Sequence, residues 1–195
     1  MRKILLIALL LMFCGVVAVA QDDYHKFELG GGWNYLHYAS GGGVSGNLSE
    51  SSTSGLFIDG TYYFKKWVGL TMEFSLNQKT FPIGELSRTA AFDTNLYDIT
   101  WGPRFKGHYG RVEPFGHGLL GFSRISAKPA VSNPTNLSDT AFAFKIGGGI
   151  DVGLSKHFAA RLAEVNYYAT RFGTIQINNK GTQNNFTVGV GIVVR

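Results

Sequence analysis

From Asn185 to Arg195 the residues alternate with a period of two: Phe186, Val188, Val190, Ile192 and Val194 share one parity, and Thr187, Gly189, Gly191 and Val193 the other. A β-strand turns successive side chains to opposite faces, so this segment has one bulky apolar face and one that is mostly small or polar. The pattern recurs along the chain and predicts an all-β fold. Twenty-six glycines and 14% aromatic residues agree, because glycine weakens helices and aromatics suit pleated surfaces.

Alternation and turn residues predict eight strands. The first, Lys26 to Tyr38, sets Phe27, Leu29, Trp33 and Tyr35 against Glu28, Gly30, Gly32 and Asn34. The second, Gly55 to Phe64, sets Leu56, Ile58, Tyr62 and Phe64 against Asp59 and Thr61. The third, Trp67 to Asn77, sets Val68, Leu70, Met72, Phe74 and Leu76 against Gly69, Thr71, Glu73 and Ser75. Asn95 to Phe105 is the fourth, with Asp98, Thr100 and Arg104 on its polar face. Val112 to Ile125, the fifth, is too glycine-rich for its faces to be assigned. In the sixth, Ala141 to Leu154, Lys145 and Asp151 oppose Phe144, Ile146, Ile150 and Val152. The seventh, Phe158 to Ala169, breaks parity between Arg161 and Glu164, which predicts a β-bulge. The terminal segment is the eighth.

The connections alternate in length. Residues 39 to 54, 78 to 94, 126 to 140 and 170 to 184 are long and rich in Ser, Thr, Asn and Gly, whereas Lys65-Lys66, Lys106 to Arg111 and Ser155 to His157 are short. That asymmetry belongs to an eight-stranded antiparallel up-and-down transmembrane β-barrel, with long loops outside the cell and short turns in the periplasm. The basic residues Lys65, Lys66, Lys106, Arg111 and Lys156 then lie on the periplasmic side. A soluble lipocalin also has eight strands, but it lines its cavity with large apolar groups. Here the glycine-bearing face suits a narrow interior, and the bulky apolar face must be convex, where only lipid satisfies it. Gly149, on the inward parity, is expected to tolerate a methyl group if the lumen has room for one.

The N-terminus carries the parts of an export signal: Arg2 and Lys3, the apolar run Ile4 to Val17, and Ala18-Val19-Ala20 before Gln21. Residues 1-20 are therefore expected to be a signal peptide and residues 21-195 a single barrel domain. Cys14 could instead attach lipid, although the bulky Phe13 before it departs from the usual pattern. Cleavage after Ala20 removes the only cysteine, leaving stability to sheet closure and packing. It also leaves 16 basic residues against 13 acidic, a net charge of +3 that is too mild to argue for nucleic acid. Beyond the signal no apolar run approaches the ~20 residues of a membrane helix, so any crossing must use strands.

On these features the chain resembles the OmpA-like eight-stranded outer-membrane barrels, the outer membrane protein β-barrel domain group. The resemblance covers Tyr24 to Arg195. It rests on the alternation, the loop order, Pro114-Phe115 opening a Gly-rich strand, and the final Phe186 to Val194 strand. It implies residence in the cell outer membrane, with lipid, lipopolysaccharide and the barrel insertion machinery as partners. One departure is the end of the chain: such barrels usually finish on an aromatic residue, and this one finishes Val193-Val194-Arg195. The peptidoglycan-binding domain of full-length OmpA proteins is not expected here.

The candidate site residues are of two kinds. By parity Glu28, Asp59, Glu73, Asp98, Arg104, Lys145 and Asp151 face the lumen, joined through the bulge by Arg161 and Glu164. They read as an interior ion-pair network, in which opposite charges offset each other's desolvation. Near strand ends, Trp33, Tyr35, Tyr62, Phe64, Trp67, Trp101, Phe105, Tyr167 and Tyr168 read as an aromatic girdle setting the barrel's depth in the bilayer. The histidines, His25, His37, His108, His117 and His157, lack the spacing of a helical metal motif, so no metal or other cofactor is expected. Only His117 is expected in the barrel wall. It lacks the H-x-S pair of outer-membrane lipid A deacylases, because Gly118 and Leu119 follow it. Gly30 to Gly32 and Gly147 to Gly149 do not link a strand to a helix, so they are wall glycines rather than phosphate loops. The three N-x-S/T sequons at Asn47, Asn136 and Asn185 carry no argument for an exported bacterial protein.

The functional expectation is a monomeric, non-enzymatic barrel with a structural and surface-interaction role through its loops, the extracellular ligand being unidentified. A narrow, porin-like channel for ions or small solutes is the second reading. A lipid-modifying enzyme is the third. A wide pore is excluded at eight strands, whose side chains fill the interior.

Overall fold

The computed structural model describes residues 25–38, 52–82, 91–129, 137–171 and 183–195. They form eight strands: β1 (Phe27–Tyr38), β2 (Ser52–Lys65), β3 (Val68–Pro82), β4 (Ala91–Lys106), β5 (Val112–Pro129), β6 (Leu137–Gly153), β7 (Phe158–Arg171) and β8 (Gln183–Val194). Each pairs antiparallel with its neighbours in the sequence, and β1 pairs with β8 from Leu29↔Val194 to Tyr38↔Asn185. The sheet is thereby a closed up-and-down barrel. Closure satisfies every sheet edge from within, the condition for crossing hydrocarbon with strands.

Parity becomes inside and outside. Leu56, Leu70, Met72, Phe122, Phe142, Ile146, Val190 and Ile192 are all exposed on the convex surface. Asp59, Thr61, Thr71, Ser75, Thr100 and Lys145 are buried within. The inward face of β5 is also resolved: Glu113, Phe115, His117, Leu119 and Ser123 point to the lumen, while Val112, Leu120 and Phe122 point out. Glycines on the 115–121 stretch hid that alternation from the sequence.

The bulge lies where parity broke. Arg161 pairs with Gly191 and Glu164 with Gly189, with a register shift between them, so both side chains turn inward. The same stretch of β7 shifts register against β6 at Ile150/Asp151. At the Lys106 to Arg111 turn, Gly110 takes the left-handed conformation (φ 65°) while Tyr109 and Val112 exchange backbone hydrogen bonds.

Several boundaries differ from expectation. Strands continue into all four long segments, as in the ladder Gln78↔Asn95 to Pro82↔Ala91 between β3 and β4. Backbone pairing there goes on past the point where the sequence loses its apolar alternation, because the ladder's hydrogen bonds do not depend on side-chain type. Residues 39–51, 83–90, 130–136 and 172–182, the remainder of those segments, lie outside the described residues, as does the signal segment at residues 1–20. At the other end Trp67 belongs to the turn and Leu154 lies past β6, while Lys106 is the last residue of β4.

Candidate functional site: a charged lumen

The interior is filled in layers. Near the short turns Lys106 sits among Glu28 (2.5 Å), Asp151 (3.1 Å) and Glu113 (3.4 Å). Arg195 closes the same layer, pairing Glu28 at 3.1 Å and hydrogen-bonding Glu113, its backbone N–H donating to the His157 carbonyl. Just ahead of β1, His25 is held below the usual imidazole range, first by burial and next by the Arg195 charge.

The middle layer centres on Asp59. Arg104 donates to its Oδ2 and Arg161 to its Oδ1, both at 2.7 Å. Arg161 also reaches Asp151 (3.0 Å) and Glu164 (2.8 Å). Both guanidinium groups lie 4.7 Å from the Phe115 ring centre, Arg161 additionally 5.9 Å from that of Phe57. Charges on β2, β4, β6 and β7 are thus tied across the barrel, which staples four strands at once.

The third layer pairs Lys145 with Glu73 at 2.7 Å. Asp98 departs from the expected ion-pair network: among the described residues no cation pairs with it, and it accepts hydrogen bonds from Ser75 (2.8 Å) and the Tyr168 hydroxyl. Above it Leu36, Leu96, Ala143 and Tyr168 form a small apolar plug toward the long-loop end. His117 lies between the upper layers, with Nε2 2.7 Å from Asn166 Oδ1 and Nδ1 3.5 Å from Arg104.

Seven charged residues singled out by parity, Glu28, Asp59, Glu73, Asp98, Arg104, Lys145 and Asp151, are therefore inside and buried. Lys106, expected in a periplasmic turn, is buried there with them, because the last residue of a strand still points to one face. Glu113 and Arg195 were not anticipated. Of the expected girdle, Trp33, Tyr35, Tyr62, Phe64, Trp67, Trp101 and Phe105 are exposed on the outer surface, and Trp67 stacks on Phe105 with ring centres 6.1 Å apart. Tyr167 is half-buried there and donates to Asn184 (2.7 Å). Tyr168 is a correction: it is 1% exposed and lies inside. Adjacent residues of a strand face opposite ways, so Tyr167 and Tyr168 could not both be outside.

The closed barrel with its apolar exterior agrees with the family comparison. Residues 6–193 match the outer membrane protein beta-barrel domain. The chain belongs to that family. It resides in the cell outer membrane. Among solved structures, the Neisserial surface protein A superposes with a TM-score of 0.63 at 12% identity, covering 87% of this chain and 96% of that one. Ail, the attachment invasion locus protein of Yersinia pestis, superposes at 0.58 with 18% identity, covering 86% and 97%. At such identities the likeness is one of fold. No curated protein matches the chain.

Proposed function

We propose that this barrel is a non-enzymatic, ion-tight anchor that holds its long extracellular connections at the cell surface for contact with other molecules. The observation that carries this reading is the lumen. Pairs from Asp59 to Arg104 and Arg161, from Glu73 to Lys145, and from Glu28 to Lys106 bridge the interior with opposite charges held at 2.5–2.7 Å. A mixed-sign filling obstructs ions, whereas a like-charged lining leaves a selective path. His117 offers no hydrolytic triad: its hydrogen bonds go to Asn166 and Arg104 rather than to a hydroxyl nucleophile.

The neighbours' printed descriptions fit surface contact. One is called a surface protein, and Ail, called the attachment invasion locus protein, was also solved in complex with the heparin analogue sucrose octasulfate. For this chain the extracellular ligand is unassigned. Membrane lipid and lipopolysaccharide cover the apolar band of a monomer, and the exposed aromatics seat it at the two interfaces. The barrel insertion machinery would handle its final strand. Planar-bilayer recording on the purified barrel tests the reading: it predicts no steady single-channel current. Stable, ion-selective steps would replace it with the narrow channel.

A further inference from the structure

One part of the interior is not completely filled. A small cavity of about 10 Å³, close to the size of one water or ion, is lined by Asn34, Phe57, Glu73, Glu164, Asn166, Thr187 and Gly189. Glu73 (β3) and Glu164 (β7) of that lining, together with His117 (β5), are all buried and each bring one ligand atom to within 4.8 Å of the others. Each carboxylate is anchored by a cation through one oxygen. Glu73 Oε1 accepts from Lys145 at 2.7 Å and Glu164 Oε2 from Arg161 at 2.8 Å. Glu73 Oε2 is buried without any hydrogen bond, while Glu164 Oε1 accepts only from the neutral Asn166 amide at 3.0 Å and lies 3.9 Å from His117 Nε2. Asn34 Oδ1, on the same cavity wall, is buried and unpartnered too. Two bare buried oxygens facing one small cavity leave room there for a water or an ion as their partner.

The charge balance gives an independent reason. Among the described residues the lumen holds seven carboxylates, Glu28, Asp59, Glu73, Asp98, Glu113, Asp151 and Glu164. Five cations face them: Arg104, Lys106, Lys145, Arg161 and Arg195. Two negative charges are in excess. In a water-poor interior such an excess is costly unless a cation enters.

We propose that Glu73 Oε2, Glu164 Oε1 and an imidazole nitrogen of His117 bind one divalent transition-metal cation, Zn²⁺ by preference, inside the barrel. A nitrogen donor with two carboxylates suits zinc, whereas calcium and magnesium favour all-oxygen sets. Asn34 Oδ1 or a water completes a tetrahedral shell. Bond lengths of about 2.0–2.2 Å bring the donors to about 3.3 Å apart, so the side chains close in by an ångström or so. His117 must give up the Asn166 contact at 2.7 Å as it turns to the ion. Lys145 and Arg161 act as outer partners that orient the carboxylates.

The test folds the full chain from urea into detergent micelles with equimolar Zn²⁺ or Co²⁺, removes free metal on a desalting column, and measures metal per barrel. The expected result is one equivalent, with the Co²⁺ form showing visible d–d absorption. Glu73→Gln and His117→Gln should each weaken retention about tenfold or more. The double variant His108→Ala/His157→Ala, which removes exposed turn histidines, should keep the full equivalent. Heat-modifiable gel mobility confirms folding of each variant. Should the site variants fail to fold, X-ray absorption on the wild-type Zn²⁺ form decides: an imidazole with oxygen ligands supports the site, and an all-oxygen shell overturns it. Absence of retained metal, or equal retention in Glu73→Gln and His117→Gln, also overturns it. Neither result bears on conductance, so this inference and the sealed-anchor reading fail separately.

Discussion

Replacing Arg161 by methionine keeps roughly the volume and removes the charge that joins the most partners. Arg161 contacts three carboxylates, but they do not suffer equally. Asp59 retains Arg104 at 2.7 Å and Asp151 retains Lys106 at 3.1 Å. Glu164 keeps only the Asn166 amide at 3.0 Å, so one carboxylate is left buried without a cation. Removing one partner of a buried pair costs about 3–5 kcal/mol, so that is the expected loss rather than three times as much. Urea-induced equilibrium unfolding in detergent or lipid, followed by tryptophan fluorescence, measures it. The double variant Arg161→Met/Glu164→Gln also removes the stranded charge and should recover part of the loss, with a coupling of about 1–3 kcal/mol. A single variant within about 1 kcal/mol of wild type, or a double variant no better than the single, would refute the claim that these charges compensate one another.

On the outer face, Ile150→Arg and Leu70→Arg place a charge in lipid and should each destabilise by about 2–4 kcal/mol near the midplane in the same assay. The exposed turn change Lys156→Ala should stay within about 0.5 kcal/mol. Gly149→Ala should not be tolerated in the way its inward parity suggested. A Cβ there would sit 2.8 Å from Phe115 Cζ and against the Ala163 carbonyl oxygen, so overpacking should cost about 1–3 kcal/mol, and a neutral unfolding curve would contradict this crowding.

Where lipid meets one face and the lumen the other, the sequence is explicit, because period-two alternation is what the two environments select. That is why Val188, Val190 and Ile192 could be set outward and Asp59, Glu73 and Lys145 inward. The signal fails where one environment changes or where side chains are missing. Strand ends such as Lys79 to Pro82 carry no apolar stripe although they pair with Ala91 to Thr94. On β5 the glycines concealed Phe115 and Leu119, two of the bulky groups that fill the lumen, and Phe115 is one of the groups that leave Gly149 no space. Lys106 and Arg195 looked like turn and terminus, yet each can reach back along the barrel axis to Glu28 and Glu113. Parity placed the charges inside but could not choose their partners. Asp98 shows this, since its hydrogen bonds come from Ser75 and Tyr168 rather than from a cation.

The central claim is that bulky residues of the alternating strands face lipid and charged ones face a filled lumen. Site-directed spin labelling along β8 reads that directly, with single cysteines from Thr187 to Val193 introduced into a Cys14-free chain reconstituted in bilayers. The account predicts that labels at Val188, Val190 and Ile192 collide readily with dissolved oxygen. Labels at Thr187, Gly189 and Val193 should be shielded from both oxygen and a water-soluble nickel complex. High nickel accessibility at the inward positions, or an accessibility profile without period two, would contradict it.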